Sequence, residues 1–180
     1  MKNIFTAALA AFVLAFAHVS FAGGAVVPYE NMVSVLSGHH GAPGDEYWSK
    51  LDADHTREVL LKISGDEKVH TIVRARAVLA LAHFRTEQTA AVITQKAKSD
   101  SLPYLRSAAF ESLAKSEGEN ALKALSDGLK DSDVMVRISV ARSIGKIGGA
   151  EAKKTLKGSL GSEKDSTAKS VMEKTVEQMR

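Results

Sequence analysis

The stretch Val134–Gly149, VMVRISVARSIGKIGG, decides how this chain is read. Val136, Val140, Ile144 and Ile147 recur at offsets of 4, 8 and 11 residues, so they share one face of an α-helix. Arg137, Arg142 and Lys146 fall elsewhere around the same helix. Gly148 and Gly149 follow, the residue type that lets a chain turn at a helix end.

The pattern returns along the chain. TIVRARAVLALAHF from Thr71, PYLRSAAFESLAKS from Pro103 and STAKSVMEKTVEQM from Ser166 align with it, and the anchoring cation falls at Arg74, Arg106, Arg137 and Lys169, steps of 32, 31 and 32 residues. Before each anchor lies another segment of helical spacing: Val59, Leu60 and Ile63; Val92, Ile93 and Ala97; Leu122, Leu125 and Leu129; Leu156 and Leu160. Two helices per unit at a fixed period define a solenoid, because one hairpin cannot bury its apolar face without a neighbour. The predicted fold is all-α: an alpha-alpha superhelix of about four helical hairpins over residues 54–180, preceded by an N-terminal cap or linker segment, 23–53. Within that cap, Pro28 to Leu36 suits a short helix, Gly38 to Gly44 a glycine-rich loop, and Tyr47 and Trp48 a packing role on the end of the first unit. Helix starts are marked by Pro103, by Asp133 and Ser166 as N-caps, and by Ser116 with Glu119 at capping-box spacing.

With LKDSD ahead of it, VRISVARSIGKIGGAEA resembles the HEAT repeat, in particular the short subtype known from phycobilisome lyase proteins. The resemblance runs from Asp54 to Met179 as four units and fades in the fourth, where Lys169 stands for arginine and Met172 and Glu173 replace small residues. A divergent, polar last unit is what the end of a solenoid requires. The resemblance implies that the anchoring arginine ties consecutive units through acidic side chains in the turns, for which Asp100, Asp131 and Asp133 are available; Asp133–Arg137 and Asp165–Lys169 are also i,i+4 neighbours. It further implies that the second helices line the concave side. Arg76, His83, Glu111, Lys115, Arg142 and Lys146 then become candidate partner-binding residues, left over by the core column. Such a mixed groove with a basic edge suits an acidic peptide, a protein segment or an anionic polymer, and equally a solvated polar face.

Composition narrows the chemistry. The first 22 residues, MKNIFTAALAAFVLAFAHVSFA, carry one cation, an apolar run and small residues at Ser20 and Ala22, the pattern of a signal peptide cleaved after Ala22. The expected location is therefore periplasmic or secreted, without stable membrane insertion after cleavage. The chain has no cysteine, which removes disulfides, thiolate zinc sites, cysteine nucleophiles and a lipoprotein anchor. A net charge of +3, with no concentrated basic stripe, speaks against nucleic acid as partner. His39 and His40, with Asp45, Glu46 and His55 near in sequence, resemble a metal set only weakly. HEAT-type hydroxylases carry His-Glu dipeptides, whereas His39, His40, His55, His70 and His83 precede His, Gly, Thr, Thr and Phe. No Gly-x-Ser-x-Gly elbow or phosphate-loop spacing occurs. The expectation is an exported, bacterial, non-enzymatic scaffold with no cofactor that binds a protein or peptide. The alternative is an accessory or lyase-like subunit that positions a small molecule or substrate for another enzyme.

Overall fold

The computed structural model describes residues 24–38 and 43–179. The predicted signal peptide and the His39/His40 pair lie outside the described residues. Ten α-helices follow in order: α1 (Tyr29–Ser37), α2 (Asp45–Ser49), α3 (Ala53–Gly65), α4 (Thr71–Ala80), α5 (Glu87–Ser99), α6 (Pro103–Glu117), α7 (Leu122–Gly128), α8 (Val134–Ile147), α9 (Gly149–Leu160) and α10 (Ser166–Gln178). Helices α3/α4, α5/α6, α7/α8 and α9/α10 are the four hairpins, and α4, α6, α8 and α10 stack side by side in that order. Among the described residues the only β pairing is a single parallel bridge, Ala25 to Leu51, which fastens the cap to the start of α3.

The core is the apolar column read from the period. Leu105, Ala109, Val136, Val140, Ile144 and Leu125 are buried, with Leu156 and Met172 continuing the column into the last hairpin. Each fully buried Leu, Ile or Met side chain contributes about 1.5–3 kcal/mol relative to exposure. Alanine lets the stacked helices close up: Ala77, Ala109 and Ala141 show no exposed surface. Gly128 lies against the Phe110 ring, where an added Cβ would stand 2.7 Å from it, so any side chain here would force the buried ring to move.

Several helix starts differ from those expected. Asp133 caps α8 through Met135 N and Val136 N, as the sequence suggests, but α10 is capped by Asp165, one residue before Ser166. Ser116 and Glu119 form no capping box, because α6 runs through Ser116 to Glu117 and ends on Gly118. The box occurs instead at Thr86 and Thr89, where a second hydroxyl does what a carboxylate usually does.

The anchoring arginines tie units together, with partners further away than the i,i+4 neighbours. Arg106 donates from Nε and Nη2 to the two Asp131 carboxylate oxygens, each at 2.8 Å, and from Nη1 to the Asp100 carbonyl at 2.9 Å. Arg137 repeats this with Glu163 at 2.8 and 2.9 Å and with the Asp131 carbonyl at 2.9 Å. Asp133 is not the partner, since its carboxylate is spent on the α8 cap. Two of the four anchors make no such tie: Arg74 has a buried Nε with no partner, and Lys169 is exposed with no ion pair among the described residues. At the first junction Lys96 acts instead, donating to the Ser64 carbonyl at 3.0 Å and standing 3.6 Å from Asp100.

Hydrogen bonds from Arg137 hold the Glu163 carboxyl below its ordinary value against the opposing effect of burial. For Asp131, burial pushes upward, but Arg106 and the Asp133 N–H outweigh it and the net direction is down. Lowered folded values mean that the ties contribute fully above the unfolded range of about 3.9–4.3 and are lost as pH falls through the folded values. Arg137→Met, which strands a carboxylate that is 3% exposed, is expected to cost about 3 kcal/mol in denaturant unfolding. The Arg137→Met/Glu163→Leu double variant recovers most of this and shows a flatter stability profile below about pH 4.

One connection is a single residue long. Gly148 (φ +71, ψ −171) and Gly149 (φ +81) join α8 directly to α9 through backbone conformations that L side chains avoid. A Cβ at Gly148 would meet nothing within 4 Å, so Gly148→Ala isolates the backbone term. Thermal unfolding should show a loss of about 1–3 kcal/mol. Gly161→Ala, equally open but at φ −69, should show none.

Candidate functional site

The residues that the core leaves over on α4, α6 and α8 form rows, because equivalent positions lie side by side in stacked repeats. Nearest the helix starts come Ile72, Tyr104 and Met135, each two residues before its anchor. They are 42%, 55% and 61% exposed, and account for three of the four large apolar side chains this open among the described residues. Two turns on come Leu79, Glu111 and Arg142, and then His83, Lys115 and Lys146 at the far end.

Two adjoining cavities open along these rows. The larger, about 590 Å³, lies at the far end between Trp48, Leu79, His83, Lys115 and Ile147. The smaller, about 330 Å³, lies towards the helix starts between Arg76, Tyr104, Met135, Ile138 and Arg142. Leu79, Glu111, Ser143 and Lys146 border both. All six candidate residues thus line the inner face: His83 and Lys115 in the larger cavity, Arg76 and Arg142 in the smaller, Glu111 and Lys146 in both.

Their charges are not equally available. Arg76 donates from Nη1 to the carbonyls of Leu36 and Gly38, at 2.6 and 2.8 Å, and so closes the carboxyl end of α1. Lys146 bridges from α8 to Glu111 on α6 at 2.6 Å. Lys115 reaches from α6 to His83 Nε2 at 2.8 Å and to Asp45 at 3.3 Å. These pairs are well exposed, so each contributes only about 0–1 kcal/mol and exchanges readily with a competing charge. Arg142 is exposed and has no ion-pair partner among the described residues.

The cap packs on the first unit, as expected, and in doing so supplies a wall of the groove. Its helix α1 packs on α3 and α4 at the end of the solenoid, burying Met32 and Leu36. Trp48 of α2 instead sits at the end of the groove, its ring 5.7 Å from that of His83 and 6.0 Å edge-on from Phe84. Trp48, Tyr104 and Met135 were missed as groove residues. For the last two, alignment on the anchors carries the signal, since an exposed apolar residue recurs at one repeat position. His55 of α3 donates from Nε2 to the Val27 carbonyl of the cap at 3.2 Å. Among the described residues no three potential metal ligands gather, and no helix is long and apolar enough to cross a membrane.

Burial lowers the His83 pKa, Lys115 lowers it further, and Asp45 opposes both. The neutral ring accepts the Lys115 proton at Nε2, which leaves its own proton on Nδ1, facing Asp45 at 3.7 Å. Because the folded value lies below the unfolded one of about 6.5, the contribution of neutral His83 is complete above about pH 6.5 and is lost as pH falls through the folded value. Trp48, the chain's one tryptophan, reports this step. Its fluorescence should change as pH falls below about 6.5, and His83→Gln should abolish that transition without changing helicity.

Compared with known families, the chain matches HEAT repeats over residues 57–133 and again, about one repeat further on, over 91–176. These matches cover more than half of the chain, which belongs to the HEAT-repeat family. No curated protein matches it significantly. The family is generally non-enzymatic, and its stacked hairpins suit a protein-interaction scaffold.

Proposed function

We propose that this chain is an exported, non-enzymatic scaffold of the short, phycobilisome-lyase-like HEAT subtype, which binds a protein or peptide partner on the inner face of α4, α6 and α8. The observation that carries this reading is the pair of exposed side chains Tyr104 and Met135 beside Arg142, which has no ion-pair partner among the described residues, with Ile72 exposed at the equivalent position of α4. Apolar side chains left in water at one position of successive repeats are the kind of surface that serves docking. Export is supported by the signal-peptide pattern of residues 1–22, which points to the periplasm or beyond, in a bacterial cell.

A photo-crosslinking amino acid at Ser139 or Arg142, in the cell that makes the protein, should trap a discrete partner. The same group at Lys123 or Lys157, exposed on the outer helices α7 and α9, should not. Equal labelling from both faces, or none from the inner one, overturns the assignment.

The larger cavity favours a second reading, an accessory subunit that positions a small molecule. Its volume of about 590 Å³ and its Trp48, Leu79 and Ile147 walls are of the size and character of small-molecule sites. Native mass spectrometry of protein purified from its own host would then show a bound compound, lost on Leu79→Trp.

A further inference from the structure

Resting on the reading of the inner face as a docking surface, we infer that its partner segment is an acidic amphipathic α-helix lying across α6 and α8, with apolar side chains every seventh residue.

The register comes from the apolar row. Ile72, Tyr104 and Met135 repeat at the separation of stacked helices, about 8–10 Å. A bound segment must therefore present apolar side chains on one face at that interval. In an α-helix, residues seven apart are nearly two full turns apart, share a face and lie about 10.5 Å from one another. An extended strand fails this condition, because its third residue, about 10 Å along, points to the opposite side. A polyproline helix meets the spacing at every third residue, about 9 Å, and so becomes the competing outcome of the test.

The charge comes from what the inner face leaves unneutralised. Glu111 is matched by Lys146 and Asp45 by Lys115, so the excess on the smaller cavity's walls is that of Arg76 and Arg142. Carbonyl acceptors at the carboxyl end of α1 engage Arg76 without cancelling its charge. That contact also shows the fold itself placing the negative end of a helix against this face. With the cap on α4, the open part of the groove is the surface of Tyr104, Met135 and Arg142. Its complement is an apolar stripe flanked by carboxylates.

The test uses the full chain and labelled synthetic peptides. The first has about three heptads, Leu every seventh residue and Glu elsewhere on the same face. The second has the same composition with the Leu positions shuffled, and the third is proline-rich with Leu every third residue. Fluorescence anisotropy should show the heptad peptide binding at least about tenfold more tightly than either control. Tyr104→Ser/Met135→Ser and Arg142→Glu should each weaken it by about tenfold, with melting temperature and helicity unchanged because these side chains are exposed. Equal binding of the shuffled peptide, tighter binding of the proline-rich one, or indifference to the substitutions overturns the inference. Crosslinking from Ser139 or Arg142 to a cellular partner would still stand in each of those cases, so the two failures are separable.

Discussion

The guanidinium of Arg106 touches two consecutive turns at once, holding the Asp131 carboxylate with two hydrogen bonds and the Asp100 carbonyl with a third. Arg137 does the same one unit later with Glu163 and the Asp131 carbonyl. Each carboxylate also accepts a backbone N–H two residues on, from Asp133 and Asp165 respectively. One acidic side chain therefore shapes its own turn, sets up the N-cap that follows and receives the preceding unit. Planar, two-point contact fixes the angle as well as the distance between units. Desolvation offsets much of the Coulombic attraction, so the ties specify register more than they add net stability, which comes from the alanine- and leucine-lined column.

A ladder of this kind needs special treatment at its ends, and the sequence changes at those points. Asp66 occupies the equivalent turn at the first hairpin, accepting from Lys68 N, and no earlier repeat stands among the described residues to supply an arginine. Tyr29 of the cap donates its hydroxyl to Asp66 at 2.7 Å instead, and that bond pushes the Tyr29 pKa up to about 12. At the other end Lys169 stands where arginine would, with no further turn among the described residues to receive it.

Periodicity made the repeat, its phase and its buried column legible, because each depends on apolar spacing that any one unit displays. Partners of the ties were only half legible. Asp131 was among the acids named, but Glu163 was not, and the i,i+4 rule suggested Asp133 for Arg137. That rule describes two side chains on one helix, whereas Asp133 sits at a helix start where free N–H groups claim its carboxylate first. Packing of Trp48 on the first unit was legible, but its role as a groove wall was not, because the cap has no repeat to align and its path beside His83 follows from tertiary packing alone. Arg76 looked like a free groove cation, and its engagement by α1 was unreadable for the same cause.

Separation of tasks between the two ends of the inner helices explains how a groove can coexist with a tightly specified stack. Ties between units lie at the turns, and buried contacts lie on the column face. Among the described residues the charged contacts between α4, α6 and α8 on the inner face are the exposed Glu111–Lys146 and His83–Lys115–Asp45 contacts, which are weak and screened. Changing an exposed inner-face side chain such as Arg142 or Lys146 therefore costs the fold little. A polar residue at Tyr104 or Met135 would serve stability equally well, since Leu105 and Val136 beside them already fill the core. Two large apolar groups stand in water at equivalent positions where the fold gains little from them, and on the proposed function a docked partner is what they serve.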